Sequence, residues 1–259
     1  MTEKRQNKRG IYILPSIFTT FALFAGFYSI VASINGDFTL AAISIMVAML
    51  WDALDGRVAR LTNTQSAFGA EYDSLSDLVS FGVAPALLVY EWSLSDLKSI
   101  ALLGEIGWLA AFIYLTCAAL RLARFNIQVG AADKRYFQGL PSPAAAGVIA
   151  SMIWLKFWNF EYFDIGFVSL SYYIGIAITI ICGLLMVSNV RYYSFKEFET
   201  KKKASFRFLL LSVMSLILLL YKPNIVLFTG FFIYLLSGPI ITTTGLYKKR
   251  NKKKQAKST

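Results

Sequence analysis

Long apolar stretches recur from one end of this chain to the other, broken by short basic connections. A helix of about 20 such residues spans the ~30 Å hydrocarbon core of a bilayer. Inside hydrocarbon the backbone must satisfy its own polar groups, so these stretches fold as helices. Eight of them run over roughly residues 12–34, 38–60, 67–91, 101–124, 141–159, 165–187, 206–221 and 224–246. The seventh is short and ends at Lys222-Pro223, which predicts a tight helical hairpin with the eighth. No strand-like alternation and no internal repeat competes with this pattern. The expected fold is all-α, a polytopic membrane helix bundle with about eight transmembrane helices. A 56% apolar and 16% charged composition over 259 residues departs from soluble domains in the same direction.

Charge gives the orientation. With the N-terminus in the cytoplasm, alternating loops put 23 of the 26 Lys and Arg residues inside, and only Lys98, Lys156 and Lys222 outside. Both termini are then cytoplasmic. The net charge of +11 is read as loop bias rather than as a nucleic-acid surface. The run Lys201 to Lys203 and the basic tail act as topology determinants and as contacts to anionic lipid. The basic start MTEKRQNKRG and the length of the first apolar stretch argue against a cleaved leader. Cys117 and Cys182 sit in apolar surroundings and read as small buried residues. Trp92, Trp154, Trp158, Tyr192 and Tyr193 near span ends read as interfacial anchors.

Against this background residues 52–77, DALDGRVARLTNTQSAFGAEYDSLSD, stand out. They carry Asp52, Asp55, Asp73 and Asp77 between membrane-like stretches, and carboxylates are costly there unless they have a function. Asp52 and Asp55 are three apart and Asp73 and Asp77 four apart, so on helices each pair projects from one face. The polar turn Thr62, Asn63, Thr64, Gln65 and Ser66 lets two antiparallel helices present the pairs to each other. Four converging carboxylates repel unless neutralised, and one or two hard divalent cations are the natural remedy. The chain has no histidine, which excludes histidine nucleophiles and histidine-held metals. Oxygen ligands point to Mg2+, Mn2+ or Ca2+. Two such ions form a clamp suited to phosphoryl chemistry. Gly56, Ala59 and Gly69 allow close approach to the backbone, and Arg60 can hold a phosphate oxygen. Together they read as the floor for a nucleotide diphosphate.

The pattern D-x2-D-G-x2-A-R-x8-G-x3-D-x3-D resembles the signature of the CDP-alcohol phosphatidyltransferases at every defining position. The resemblance implies transfer of a phosphatidyl group from a CDP-linked lipid to an alcohol, with release of CMP. It also implies that Asp52, Asp55 and Asp73 bind one metal ion and Asp73 and Asp77 a second. Asp77 is the implied general base, and Asp52, Gly56, Ala59, Arg60 and Gly69 are the implied CDP contacts. In-line displacement needs nothing covalent from the protein, which suits a site without histidine.

The motif leaves the acceptor open. Arg121, Arg124, Asn126, Lys134, Arg135 and Gln138 gather at the same predicted face. An arginine there could take the carboxylate of serine, although loop bias also accounts for basic residues. The stretches RLARFNIQ, RYFQGLPSPAAAG, RGIYILPSIFTT and SLSDLVSFGVAPA are similar to the bacterial and archaeal serine-using branch of the family. That likeness covers roughly residues 9–147. It implies CDP-diacylglycerol, L-serine and membrane lipids as partners, no nucleic acid, and a homodimer in the prokaryotic inner membrane with its active site facing the cytoplasm. Arg121, Arg124, Asn126 and Gln138 are the candidate serine or phosphate contacts, while Pro141 and Pro143 shape the entry to the fifth helix. The branch usually has asparagine where this chain has Ser16, which could instead cap the first helix. Residues 1–247 are read as one catalytic membrane domain and 248–259 as a basic cytoplasmic tail. The rival readings are another acceptor (glycerol 3-phosphate, inositol phosphate or choline), a cation-coupled transporter using the aspartates, and an inactive lipid-binding scaffold.

Overall fold

The computed structural model describes residues 13–62, 64, 66–97, 101–128, 136–159, 165–193 and 206–255. In chain order the helices are α1 Ile13–Ile34, α2 Phe38–Thr62, α3 Ala67–Asp77, α4 Ala84–Leu97, α5 Ala101–Gln128, α6 Ser142–Asn159, α7 Ile165–Val187, α8 Phe206–Tyr221 and α9 Pro223–Gln255. A π-helical turn, Leu78–Val83, joins α3 to α4 without a break, so the third predicted stretch is one rod. Among the described residues four helical stretches are long and apolar enough to cross a membrane: Ser16–Ile34, Phe38–Thr62, Gly107–Ile127 and Pro223–Thr244. Ser142–Leu155 and Tyr173–Val187 are apolar but shorter.

The molecule is apolar outside as well as inside. Phe24 is 66% exposed and Leu220 77% exposed, as expected of surfaces that meet lipid. The core is built largely from small side chains. Ala41, Ala42 and Ala48 of α2 and Ala145, Ala146 and Ala150 of α6 are buried, which lets these helices approach closely. Free Cys117 and Cys182 are buried in the α5–α7 contact region, as their surroundings predicted.

Hydroxyls fasten α1 to the rod that carries Asp73 and Asp77. Ser76 Oγ donates to the Thr19 carbonyl at 3.2 Å and Ser80 Oγ to the Ala22 carbonyl at 3.1 Å. Gly26 makes this approach feasible, because a Cβ there would collide with Ser80. Tyr114 of α5 donates to the Phe81 carbonyl inside the π turn at 3.0 Å. That bond receives a backbone acceptor in the segment where helical register changes.

The described fold is helical as expected, apart from one short ribbon in which β1 Tyr136–Gln138 pairs antiparallel with β2 Arg191–Tyr193, with Phe137 opposite Tyr192. Strands of three residues are too short to leave alternation in a sequence. Trp92 and Tyr192 are core residues rather than interfacial anchors. Trp92 packs on Gly175 of α7, and the Tyr192 ring lies against Gly238 of α9 with its hydroxyl on the Leu235 carbonyl at 3.1 Å. Tyr193 and Trp154 are half-buried, and the Trp158 side chain lies outside the described residues. Lys222 is the single residue between α8 and α9; its N–H donates to the Leu218 carbonyl at 2.9 Å and its own carbonyl accepts from the Val226 N–H at 3.2 Å.

Gly139 holds the ribbon to the bundle. Its φ is +79°, its N–H donates to the Val190 carbonyl at 2.8 Å, and a Cβ would collide with the Met186 carbonyl oxygen. Gly139→Ala is therefore expected to cost about 2 kcal/mol or more. Thermal unfolding in detergent checks this; an unchanged midpoint would contradict it.

Candidate active site

The carboxylates come from two rods held against α1. Asp52 and Asp55 lie one turn apart near the end of α2. Asp73 and Asp77 lie on α3, whose start is capped by Ser66, with the Gly69 N–H donating to Ser66 Oγ at 3.0 Å. Carboxylate oxygens of Asp52, Asp55 and Asp73 all fall within 4.8 Å of one another. Asp55 is buried and accepts a 2.7 Å hydrogen bond from Thr19 Oγ1 of α1. Asp73 Oδ1 is buried without a hydrogen-bond partner. Asp77 lies one turn further along α3 from Asp73, close to Asp52 and within electrostatic reach of Arg121. A buried carboxylate oxygen left without a donor, inside an all-oxygen cluster, fits a hard divalent cation.

A polar pocket of about 200 Å³ opens beside this cluster. Gly56 and Ala59 of α2 line it, facing Gly69, Ala70 and Asp73 of α3 and Ser16 and Thr19 of α1. Three of the predicted CDP contacts, Gly56, Ala59 and Gly69, thus share one cavity with Asp55 and Asp73. Gly69 is tightly constrained, since a Cβ would sit 3.1 Å from Ser66 Oγ and press on the cap. Ser16 belongs to the first turn of α1 rather than to its cap, and it reaches the pocket at the position where the branch usually has asparagine. Arg60 does not line this pocket. It turns with Arg57 into a separate apolar groove. Asn63 and Gln65 of the predicted polar turn lie outside the described residues.

The predicted acceptor residues divide. Arg124 is committed to backbone: it donates to the carbonyls of Val187 at 3.0 Å, Gln138 at 2.8 Å and Ser188 at 3.4 Å, tying α5 to the end of α7 and to β1. Asn126 pairs with Ser74 of α3, its Nδ2 donating to Ser74 Oγ at 3.0 Å. The Gln138 side chain is exposed on β1. Arg121 differs. It is only 8% exposed, its Nη1 donates to Ser142 Oγ at 3.2 Å, and its Nε is buried without a partner, within electrostatic reach of Asp77. Pro141 and Pro143 bracket Ser142, where α6 begins, as their helix-entry role predicted. Lys134 and Arg135 lie outside the described residues.

Thr19 was given no role by sequence reasoning, although it lies within the quoted stretch RGIYILPSIFTT. A family model described as CDP-alcohol phosphatidyltransferase matches residues 12–185, which include all four aspartates. The chain belongs to the CDP-alcohol phosphatidyltransferase family. Within the family it is similar to a Helicobacter pylori (strain J99) protein named CDP-diacylglycerol–serine O-phosphatidyltransferase, at 36% identity over 89% of this chain and 91% of that relative. A Methanocaldococcus jannaschii protein of the same name is 42% identical over 57% of this chain and 61% of its own length. An archaetidylserine synthase from Methanothermobacter thermautotrophicus is 37% identical over 69% of each chain. The likeness to the serine-using branch therefore runs well past residue 147, where the motifs alone end.

Proposed function

We propose that this CDP-alcohol phosphatidyltransferase transfers the phosphatidyl group of CDP-diacylglycerol to the hydroxyl of L-serine, giving phosphatidylserine and CMP. The observation that carries the chemistry is the convergence of Asp52, Asp55 and Asp73 beside a pocket floored by Gly56, Ala59 and Gly69. The serine acceptor rests on the names borne by the relatives. Asp52, Asp55, Asp73 and Asp77 would hold two divalent ions, Mg2+ or Mn2+, which when bound offset negative charge on the diphosphate. The small residues of α2 and α3 admit the nucleotide close to the backbone. Asp77 accepts the proton of the serine hydroxyl, and its absence from the lining of the nucleotide pocket suits a base that faces the acceptor. Arg121, whose buried Nε has no partner and which lies within electrostatic reach of Asp77, takes the serine carboxylate. Thr19, Ser66 and Asn126 hold the carboxylate-bearing helices in place.

The same reading has eight spans, both termini in the cytoplasm and the site at the cytoplasmic face of the prokaryotic cell membrane. CDP and serine are available there, while the acyl chains stay at the depth of the membrane. Residues 1–247 form the catalytic domain, residues 248–259 a basic tail on anionic lipid, and the working unit is a homodimer.

Purified protein supplied with CDP-diacylglycerol, Mg2+ or Mn2+ and a panel of alcohols tests the reading through CMP release. Serine is expected to support turnover, and chelation with EDTA to abolish it until metal is restored. Absence of CMP with every acceptor would overturn the enzyme reading, and turnover with glycerol 3-phosphate but not serine would overturn the acceptor.

A further inference from the structure

A second cavity, a groove of about 600 Å³, lies against a face of α2 neighbouring that of the polar pocket. The two have no lining residue in common. Gly56 and Ala59 face the polar pocket, while Arg57 and Arg60, one position on and about 100° round the helix, face the groove. The groove is otherwise almost wholly apolar, running past Met49 of α2 and Ala144 of α6 to a far wall made by α9. That wall includes Val226, Gly230 and Phe231 and lies beyond residues 12–185, the part of the chain that the family model matches.

The shape specifies a class of ligand. From Met49 to Arg60 the α2 wall extends about 16 Å along its axis, with both cationic side chains at one end. A single hydrocarbon chain with phosphate chemistry at its head matches this distribution of charge. Arg60 also links the two cavities, because its Nη1 lies 4.0 Å from where a Gly56 Cβ would be. A lipid whose diphosphate reaches the aspartates can pass its glycerol over Arg60 and lay one chain in the groove.

Building on the proposed reaction, we propose that α9 converts the lipid-facing side of α2 and α6 into a slot for one acyl chain of CDP-diacylglycerol, and that this slot selects chain length. A chain drawn from the bilayer leaves surroundings as apolar as the slot, so binding there adds little hydrophobic gain. The slot acts instead through shape, by admitting chains that fit and excluding those that do not. Phe231 is held for this role by close contact with Gly147 of α6, and Gly230 leaves space open, with nothing within 4 Å of the position of a Cβ.

The test compares dioctanoyl and dioleoyl CDP-diacylglycerol in mixed micelles, with wild type, Gly230→Trp and, as control, Ile233→Trp on the exposed side of α9. Gly230→Trp is expected to raise the apparent KM for the dioleoyl lipid about tenfold, the scale on which an overpacked apolar site responds. The dioctanoyl lipid should change less than about twofold, and Ile233→Trp should leave both unchanged. Equal effects on both lipids, as for a structural lipid in the groove, or no effect on either, would overturn the slot while leaving the reaction intact. CDP-diacylglycerol with a photoreactive chain end supplies a readout independent of turnover. Label on the α9 segment 226–231 supports the slot, and label confined to other helices overturns it. No CMP from wild type with either lipid would overturn the proposed reaction instead.

Discussion

Asp77→Asn is expected to lower kcat by about 10³-fold or more while CDP-diacylglycerol still binds. The substitution keeps the size of the side chain and removes its ability to accept a proton. The polar pocket beside Asp55 and Asp73 is lined without Asp77, so the nucleotide end of the substrate loses no lining residue. Single-turnover CMP release would report the chemical step, and a lipid-dependent thermal shift would report binding. Turnover at the wild-type rate would remove Asp77 as the base. Loss of binding together with turnover would instead assign Asp77 to holding the substrate.

Arg121→Ala is expected to raise KM for serine about 10²-fold, with a smaller change in KM for the lipid. A charge-assisted bond from a buried guanidinium to a carboxylate is worth ~2–5 kcal/mol when one partner is removed. Arg121→Lys should recover only part of the loss, because an ammonium cannot reproduce the planar fork of donors. Arg124→Ala provides the contrast. Its three carbonyl contacts tie α5 to α7 and β1, so its loss should lower the unfolding midpoint and leave KM for serine nearly unchanged. If Arg124→Ala raised KM for serine as much as Arg121→Ala, the division of roles between them would be wrong.

The aspartate pairs were legible in the sequence because helical spacing fixes which side chains share a face, and carboxylates in an apolar chain are too costly to keep without a use. The helical rods were legible for a similar reason, since their apolar lengths leave the backbone little choice. Thr19 was not legible: a hydroxyl residue in an apolar helix carries no periodicity, and its partner Asp55 is 36 positions away. Trp92 and Tyr192 were misread because an aromatic near the end of an apolar stretch looks the same whether it faces headgroups or the glycine of a neighbouring helix. Arg121 and Arg124 look alike in the motif RLARFN, three residues apart. Only their partners separate a guanidinium spent on carbonyls from one that keeps a nitrogen unused. The groove was hidden because its walls come from segments about 170 residues apart.

The π turn directly after Asp77 acts as a phase setter. It contains one residue more than an α-helix would need over the same rise. Wound as a continuous α-helix with all its residues kept, the segment Leu78–Val83 would turn the leading half of the rod by about 100° relative to its trailing half. Asp73 and Asp77 would then swing away from α2 while Trp92 kept its seat on α7. The clock angle between the reacting end of this rod and its anchored end is set by the widened turn that takes up the extra residue.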